Sequence, residues 1–136
     1  MTTNDIQQLT RKERDFLVKI VEEQHQFPLR LADVARYMNV KPPTALEVVR
    51  RLSRKGLVIS SSGMIMPTEE GKEEYSEIIE AHRVMEYVAF SSGEPLENAC
   101  SEVCRYDYLM DHETVEKLWN ILGKPKECPH GKPIRS

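Results

Sequence analysis

The chain has 136 residues, of which 40% are hydrophobic and 30% are charged, a balance that is typical of soluble globular proteins. This length suffices for one ordinary domain, or for a small domain with a helical extension. No apolar run approaches the roughly 20 residues that a membrane-spanning helix needs, and the N-terminal residues 1–15 lack the apolar core of a secretory signal. We therefore expect a cytoplasmic protein without a membrane segment.

The formal net charge of −3 is unevenly distributed along the chain. Residues 1–67 contain 11 lysines and arginines and 7 acidic residues, a net charge of +4, whereas residues 68–136 contain 8 and 15, a net charge of −7. Such asymmetry favours a nucleic-acid-binding module joined to a second domain. Because the three cysteines are an odd number, they are expected to be metal ligands, redox groups or core residues rather than a disulfide framework.

The first half predicts three helices followed by a β-hairpin. Apolar spacing places the helices at residues 9–24, 31–38 and 42–55. Two β-prone runs, residues 57–59 and 64–66, are joined by a turn of serines and a glycine. This order is that of a winged helix-turn-helix DNA-binding domain, which we assign to residues 1–67.

The third predicted helix carries polar and basic side chains outside its apolar stripe. A recognition helix needs short polar groups near its start to read base edges, and cations along its flank to bind phosphates. Thr44 and Glu47 suit the first task, and Pro43 opens the helix beside them. The cations suited to the second task are Lys41, Arg50, Arg51 and Arg54. A solvated basic face is the alternative, but the surrounding order of elements favours DNA binding.

Three more helices are predicted in the second half, at residues 68–90, 94–108 and 112–122, before a turn-rich tail. Residues 68–136 are therefore expected to form an all-helical domain. The predicted fold class is mainly α, with the winged helix-turn-helix domain first.

Two of these helices carry potential metal ligands on their apolar faces. His82 and Glu86 lie one turn apart on the fourth helix, where buried polar groups need partners. Cys100, Cys104 and Asp107 share one face of the fifth. A core histidine with space-filling cysteines is the simpler interpretation, but two such faces favour a site between the helices. Mixed nitrogen, oxygen and sulfur donors suit a first-row transition metal rather than calcium or magnesium.

Two further features are ligand-like. Asp15 lies on the side of the first helix opposite to Leu17 and Ile20, so it is expected to join the metal site from the first domain. Cys128 and His130 form a Cys-x-His pair in the tail. For that pair we favour a terminal turn with an exposed histidine.

Together, these motifs resemble those of the DtxR/MntR family of metal-dependent transcriptional repressors. The motifs are Pro43-Thr44, Gly56-Leu57-Val58, Thr68-x-x-Gly71, His82-Arg83-x-x-Glu86, Cys104-x-x-Asp107 and Cys128-Pro-His-Gly-Lys-Pro-Ile134. The resemblance implies a winged-helix domain followed by a helical dimerisation domain. It also implies homodimers, formed through helices four to six, that bind a palindromic operator when Fe(II) or Mn(II) is plentiful.

The resemblance further implies two neighbouring metal sites. By position, the ligands of one site match His82, Glu86 and Cys100, and those of the other match Cys104, Asp107 and Asp15, with Glu102 near the metals. The sequence departs from the family pattern at Tyr108, where a ligating histidine is usual, and at Asp107, where glutamate is more common.

The expected metal follows from the same resemblance. Cys104 resembles the iron-responsive branch of the family, whereas Asp15 resembles the manganese branch. Because a thiolate is a soft ligand that favours iron over manganese, we expect Fe(II), with Mn(II) or another first-row divalent metal as the alternative.

The sequence therefore predicts a homodimeric, metal-activated repressor of metal homeostasis whose recognition helices enter successive major grooves about 34 Å apart. One alternative is a thiol-based redox sensor that uses Cys100 and Cys104. Another is a metal-dependent enzyme, which is disfavoured because the sequence has no HExxH, no phosphate-binding glycine loop and no nucleophile motif.

Overall fold

The computed structural model describes residues 8–24 and 28–135. Within them the elements are α1 (Arg11–Glu22), α2 (Leu31–Met38), α3 (Pro42–Arg54), β1 (Val58–Ser61), β2 (Met64–Pro67), α4 (Glu69–Ser91), α5 (Leu96–Val103), a 3₁₀ helix (Asp107–Leu109) and α6 (His112–Ile121). The predicted mainly α fold class is confirmed. In the described part of the chain, no helix is both long and apolar enough to cross a membrane.

The chain forms two compact units, Met1–Tyr75 and Ser76–Ser136. The first contains the winged helix-turn-helix elements, and the division between the units falls inside α4. The core of the first unit is built by one apolar face from each of its three helices. Its buried helical residues include Phe16, Leu17, Ile20, Val34, Ala35, Ala45, Val48, Val49 and Leu52.

The predicted hairpin forms the wing of this unit, where β1 and β2 pair in antiparallel register. Ser62 and Gly63 make its two-residue turn with φ values of 52° and 78°, as the right-handed twist of a tight hairpin requires. Arg30 forms an isolated antiparallel bridge with Met64. The segment before α2 is thereby joined to the wing.

Thr68 and Gly71 fix the start of α4 to the loop that follows α3. The Thr68 hydroxyl accepts a hydrogen bond from the Gly71 N–H at 3.0 Å and donates one to the Gly56 carbonyl oxygen at 2.6 Å. A Cβ atom at position 71 would collide with the carbonyl oxygen of Leu57. The Thr-x-x-Gly spacing therefore combines a helix cap with a close backbone approach that only glycine allows.

The second unit packs the rest of α4 against α6 and the tail. Its core cluster consists of Ala81, Val84, Val115, Cys128 and Ile134. The tail folds back on itself, because the Cys128 N–H donates to the Lys132 carbonyl oxygen at 2.9 Å. Arg83 holds it from α4 by donating to the Pro133 carbonyl oxygen at 2.7 Å.

The prediction of one helix over residues 94–108 is wrong. Helix α5 ends at Val103, Tyr106 has a φ of −141°, and a 3₁₀ helix begins at Asp107. The buried Asp107 carboxylate contacts His82 on α4. Asp107 therefore lies beyond a break in the helix, and helical periodicity does not determine where its side chain points. Its contact with His82 is a tertiary one.

Candidate metal centre and DNA-binding helix

His82 is the central side chain of a polar cluster in the second unit, and it is only 12% exposed. Its Nδ1 lies 2.8 Å from Asp107 Oδ2. Its Nε2 lies 3.4 Å from Cys100 Sγ and 3.3 Å from Glu86 Oε2. Helix α4 places His82 and Glu86 one turn apart, while α5 and the 3₁₀ helix supply the thiol and the second carboxylate.

Within the described residues, potential ligand atoms converge in two groups of three. We call His82, Cys100 and Cys104 the thiol group, and Glu86, Cys128 and His130 the mixed group; in each, the ligand atoms all lie within 4.8 Å of one another. In the mixed group, His130 Nδ1 lies 3.2 Å from Glu86 Oε2. The two groups adjoin through the contact between His82 and Glu86.

The mixed group contains the Cys-x-His pair, which the sequence analysis assigned to a terminal turn with an exposed histidine. Cys128 is buried and His130 is exposed, yet both reach Glu86 because the tail folds back onto α4. The Cys-x-His spacing was the available signal. Spacing alone does not reveal that the tail returns to the fourth helix.

The environment of His82 favours its protonated form when no metal is bound. Burial lowers the pKa of His82, but hydrogen bonds to Asp107 and Cys104 and the charge of Glu86 outweigh this effect and raise the pKa to about 10. Burial also raises the pKa of the Cys100 thiol. Metal ligation requires a neutral imidazole and a thiolate, so metal binding to these atoms must release protons.

The remaining predicted ligands lie in different surroundings. The Asp15 carboxylate, in the first unit, lies 3.1 Å from Arg11 Nε and 2.9 Å from Arg14 Nη1. Glu102 is half-buried and belongs to neither group among the described residues. Tyr108 is also half-buried. That Asp15 and Glu102 serve a metal site stays a prediction.

Both groups have the donor chemistry of a transition-metal site. The thiol group offers one nitrogen and two sulfurs, and the mixed group offers one oxygen, one sulfur and one nitrogen. Sulfur and imidazole donors suit ions such as Fe(II) and Zn(II). Calcium and magnesium require oxygen ligands, so neither group fits them.

The candidate DNA-binding helix α3 leaves most of its predicted contact residues accessible. The exposed ones are Lys41, Pro43, Glu47, Arg50 and Arg54, while Thr44 and Arg51 are half-buried. Arg51 Nε lies 3.2 Å from Oε2 of Glu13 on α1. Arg51 therefore has a partner inside the domain, which distinguishes it from the exposed cations on the same helix.

Glu13 was not identified from the sequence as an important residue. Its side chain is buried against α3, where Lys55 also binds it. It further accepts a hydrogen bond from the Thr10 N–H at 3.1 Å as part of a capping box at the start of α1. The T-x-x-E spacing predicts such a cap, but not the two cations that α3 brings to it.

Two family models match the chain in succession. Residues 8–62 match the N-terminal DNA-binding domain of iron-dependent repressors, and residues 68–136 match the metal-binding and dimerisation domain of the same proteins. The chain therefore belongs to the DtxR/MntR family of metal-dependent repressors, as its motifs predicted.

Individual relatives agree with this assignment. The iron-dependent repressor IdeR of Mycobacterium tuberculosis is 29% identical over 116 residues, which are 84% of this chain and 50% of IdeR. The hypothetical protein SSo2273 from Sulfolobus solfataricus has a similar structure, with a TM-score of 0.81 and 32% identity over 94% of this chain and 100% of that one. ScaR with bound Cd²⁺ has a TM-score of 0.77 and 25% identity over 91% of this chain and 59% of ScaR. The chain spans about half the length of the curated relatives it matches.

Proposed function

We propose that the protein is a metal-activated transcriptional repressor that binds a palindromic DNA operator as a homodimer and responds to Fe(II). The observation that carries the proposal is the convergence of the thiol group and the mixed group in the metal-binding domain of this family. The names of relatives support it, since IdeR is an iron-dependent repressor and ScaR has bound Cd²⁺ in its structure.

The ligand residues come from separate segments of the second unit. His82 and Glu86 lie on α4, Cys100 lies in the last turn of α5 and Cys104 caps its end, and the mixed group adds the tail. A bound divalent ion would supply the positive charge that these donors share. Its binding would link the three segments through shared coordination bonds.

DNA recognition would fall to α3 in the first unit. Thr44 and Glu47 lie near its start for base contacts, and the exposed cations Lys41, Arg50 and Arg54 are suited to phosphates. If metal binding tightens DNA binding by some factor, DNA binding must then tighten metal binding by the same factor.

The second unit is also the proposed dimerisation unit, through helices α4 to α6. Phe90, Leu109 and Ile121 are large apolar side chains that this unit leaves exposed. The main support for pairing with a second copy is that residues 68–136 match the model of a metal-binding and dimerisation domain.

Operator binding under anaerobic conditions tests the proposal. An operator is first selected from random DNA with protein in excess Fe(II), and its dissociation constant is then measured with Fe(II), with Mn(II), with Mg²⁺ as the matched control, and with a chelator. We expect Fe(II) to tighten binding about 5- to 150-fold over the chelator, and Mg²⁺ to have no such effect. Equal affinity in all conditions would contradict metal activation.

A thiol redox sensor is the second candidate, because the sulfurs of Cys100 and Cys104 lie within 4.8 Å of each other. Oxidation by hydrogen peroxide would join the two thiols in a disulfide and yield two water molecules. The variant H82A separates the candidates: a metal-activated repressor should lose much of its metal response, whereas a redox sensor should respond to peroxide as the unchanged protein does.

A further inference from the structure

We infer that His82, Cys100 and Cys104 form one thiolate-rich metal site, and that Asp107 positions His82 instead of binding the metal. This inference rests on the proposed metal response and specifies its chemistry. It also groups the residues differently from the family resemblance, which divides Cys100 and Cys104 between two sites.

The orientation of the His82 ring supports the role of Asp107. Nδ1 faces Asp107 Oδ2 at 2.8 Å, and that carboxylate side chain is fully buried. A ring nitrogen that donates to a carboxylate is not available to a metal, so Nε2 is left as the ligand atom. Metal-binding histidines commonly donate their other N–H to a carboxylate in this way, which fixes the ring and its tautomer.

The spacing of the three donor atoms fits a small coordination sphere. With metal–sulfur bonds of about 2.3 Å and metal–nitrogen bonds of about 2.0 Å, neighbouring ligands of a tetrahedral ion lie roughly 3.5–3.8 Å apart. Nε2 of His82 lies 3.4 Å from Cys100 Sγ, and all three donor atoms lie within 4.8 Å of one another. Small side-chain movements therefore suffice to close the site.

Local backbone structure explains why the two sulfurs converge. Cys104 is the C-terminal cap of α5 and keeps helical angles, with φ −57° and ψ −20°. Cys100 lies one helical turn before it, and residues four apart lie on the same side of a helix. The break in the chain comes only at Tyr106, so it redirects Asp107 without separating the thiols.

Charge and softness define the class of ion. Two thiolates neutralise a divalent cation, which suits a site whose thiols are half-buried and whose imidazole is 12% exposed. Glu86 Oε2, 3.3 Å from His82 Nε2, is within reach of a fourth position. Thiolate pairs favour Zn(II), Co(II) and Fe(II) over Mn(II). The site should therefore select thiophilic ions.

Anaerobic titration with Co(II), in the presence of a reductant, tests the site without DNA. We expect a sulfur-to-cobalt charge-transfer band in the near ultraviolet, with its saturated intensity reduced by about half in C100S and in C104S. All of these titrations use the C128S background, because the thiol of the mixed group would otherwise add charge-transfer intensity of its own; C128S alone sets the reference intensity. Absence of the band in C128S alone, or its retention at full intensity in C100S and C104S, would overturn the inference.

The variant D107N tests the positioning role. At saturation it should give the same visible d–d bands as the unchanged protein, with Co(II) affinity lower by about 10- to 100-fold. Shifted d–d bands at saturation would indicate that Asp107 is a ligand, and an unchanged affinity would show that it does not position His82. Far-ultraviolet circular dichroism checks that each variant is folded.

These readouts separate the inference from the proposed function. If the charge-transfer band behaves as expected but the dissociation constant for the operator does not change with any metal, the thiolate site stands and the repressor proposal fails. If operator binding responds to metal but the band is absent, the repressor proposal stands and the thiolate site is refuted.

Discussion

The buried carboxylate of Glu13 offers a direct test of how α3, the proposed recognition helix, is held in the first unit. It is 1% exposed, and its Oε2 lies 3.2 Å from Arg51 Nε while Lys55 binds its other oxygen. In the substitution E13Q, the side chain keeps its size and its capacity to cap α1 at Thr10. The change therefore removes the negative charge and places an amide N–H₂ group, which cannot accept a hydrogen bond, where one carboxylate oxygen met a cation.

The expected cost follows from the exposure of the partners. Removing one member of a buried ion pair costs about 3–5 kcal/mol, because the other charge is left without compensation. Arg51 and Lys55 are 34% and 19% exposed, so water can partly replace the lost carboxylate. We expect E13Q to lower the free energy of unfolding by about 2 kcal/mol. E13A also loses the cap and should cost about 3 kcal/mol.

Urea denaturation followed by circular dichroism measures this cost. The matched control is E69Q, because Glu69 and Lys72 form an ion pair at 3.4 Å in which both side chains are largely exposed. Surface pairs and helix-end charges contribute little, so E69Q should cost no more than about 1 kcal/mol. A value for E13Q within about 0.5 kcal/mol of the unchanged protein would refute the reasoning about buried charge.

Three further outcomes are expected. G71A should lower the free energy of unfolding by at least about 2 kcal/mol, because the new methyl group meets the Leu57 carbonyl oxygen; a cost below about 0.5 kcal/mol would contradict this. R50A should lower the slope of log K against log salt for operator binding by about 1, and an unchanged slope would exclude a phosphate contact. R135A should change the fluorescence of Trp119, the single tryptophan, because the Arg135 guanidinium lies 4.2 Å from the centre of its ring. K117A, at an exposed lysine, is the control and should leave the fluorescence unchanged.

The order of the secondary structure elements could be predicted from local sequence. The apolar spacing of α1 to α3 and the Ser62-Gly63 turn depend on residues close together in the chain. The motif of Thr68 and Gly71 was also visible, but the sequence did not show that the Leu57 carbonyl oxygen approaches Gly71 too closely for a Cβ atom. Periodicity and turn chemistry act over a few residues, so the sequence records them directly.

The pairing of chemical groups was decided by tertiary structure. His82, Glu86 and the two thiols of the fifth helix were visible as ligand types, because each lies on an apolar face. Their partners were not: Asp107 reaches His82 only after α5 ends, and Cys128 reaches Glu86 only because the tail folds back. These contacts join residues 25 and 42 positions apart, respectively.

The same distinction applies to Glu13. Its cap on Thr10 joins residues three positions apart and was predictable, whereas its ion pairs with Arg51 and Lys55 join distant residues and were not. By itself, the sequence determined the order of the main helices and strands, and it indicated which side chains are candidate metal ligands and candidate DNA contacts. Only the tertiary structure decided which of those side chains meet, because burial and packing bring together residues that no helical or strand period relates.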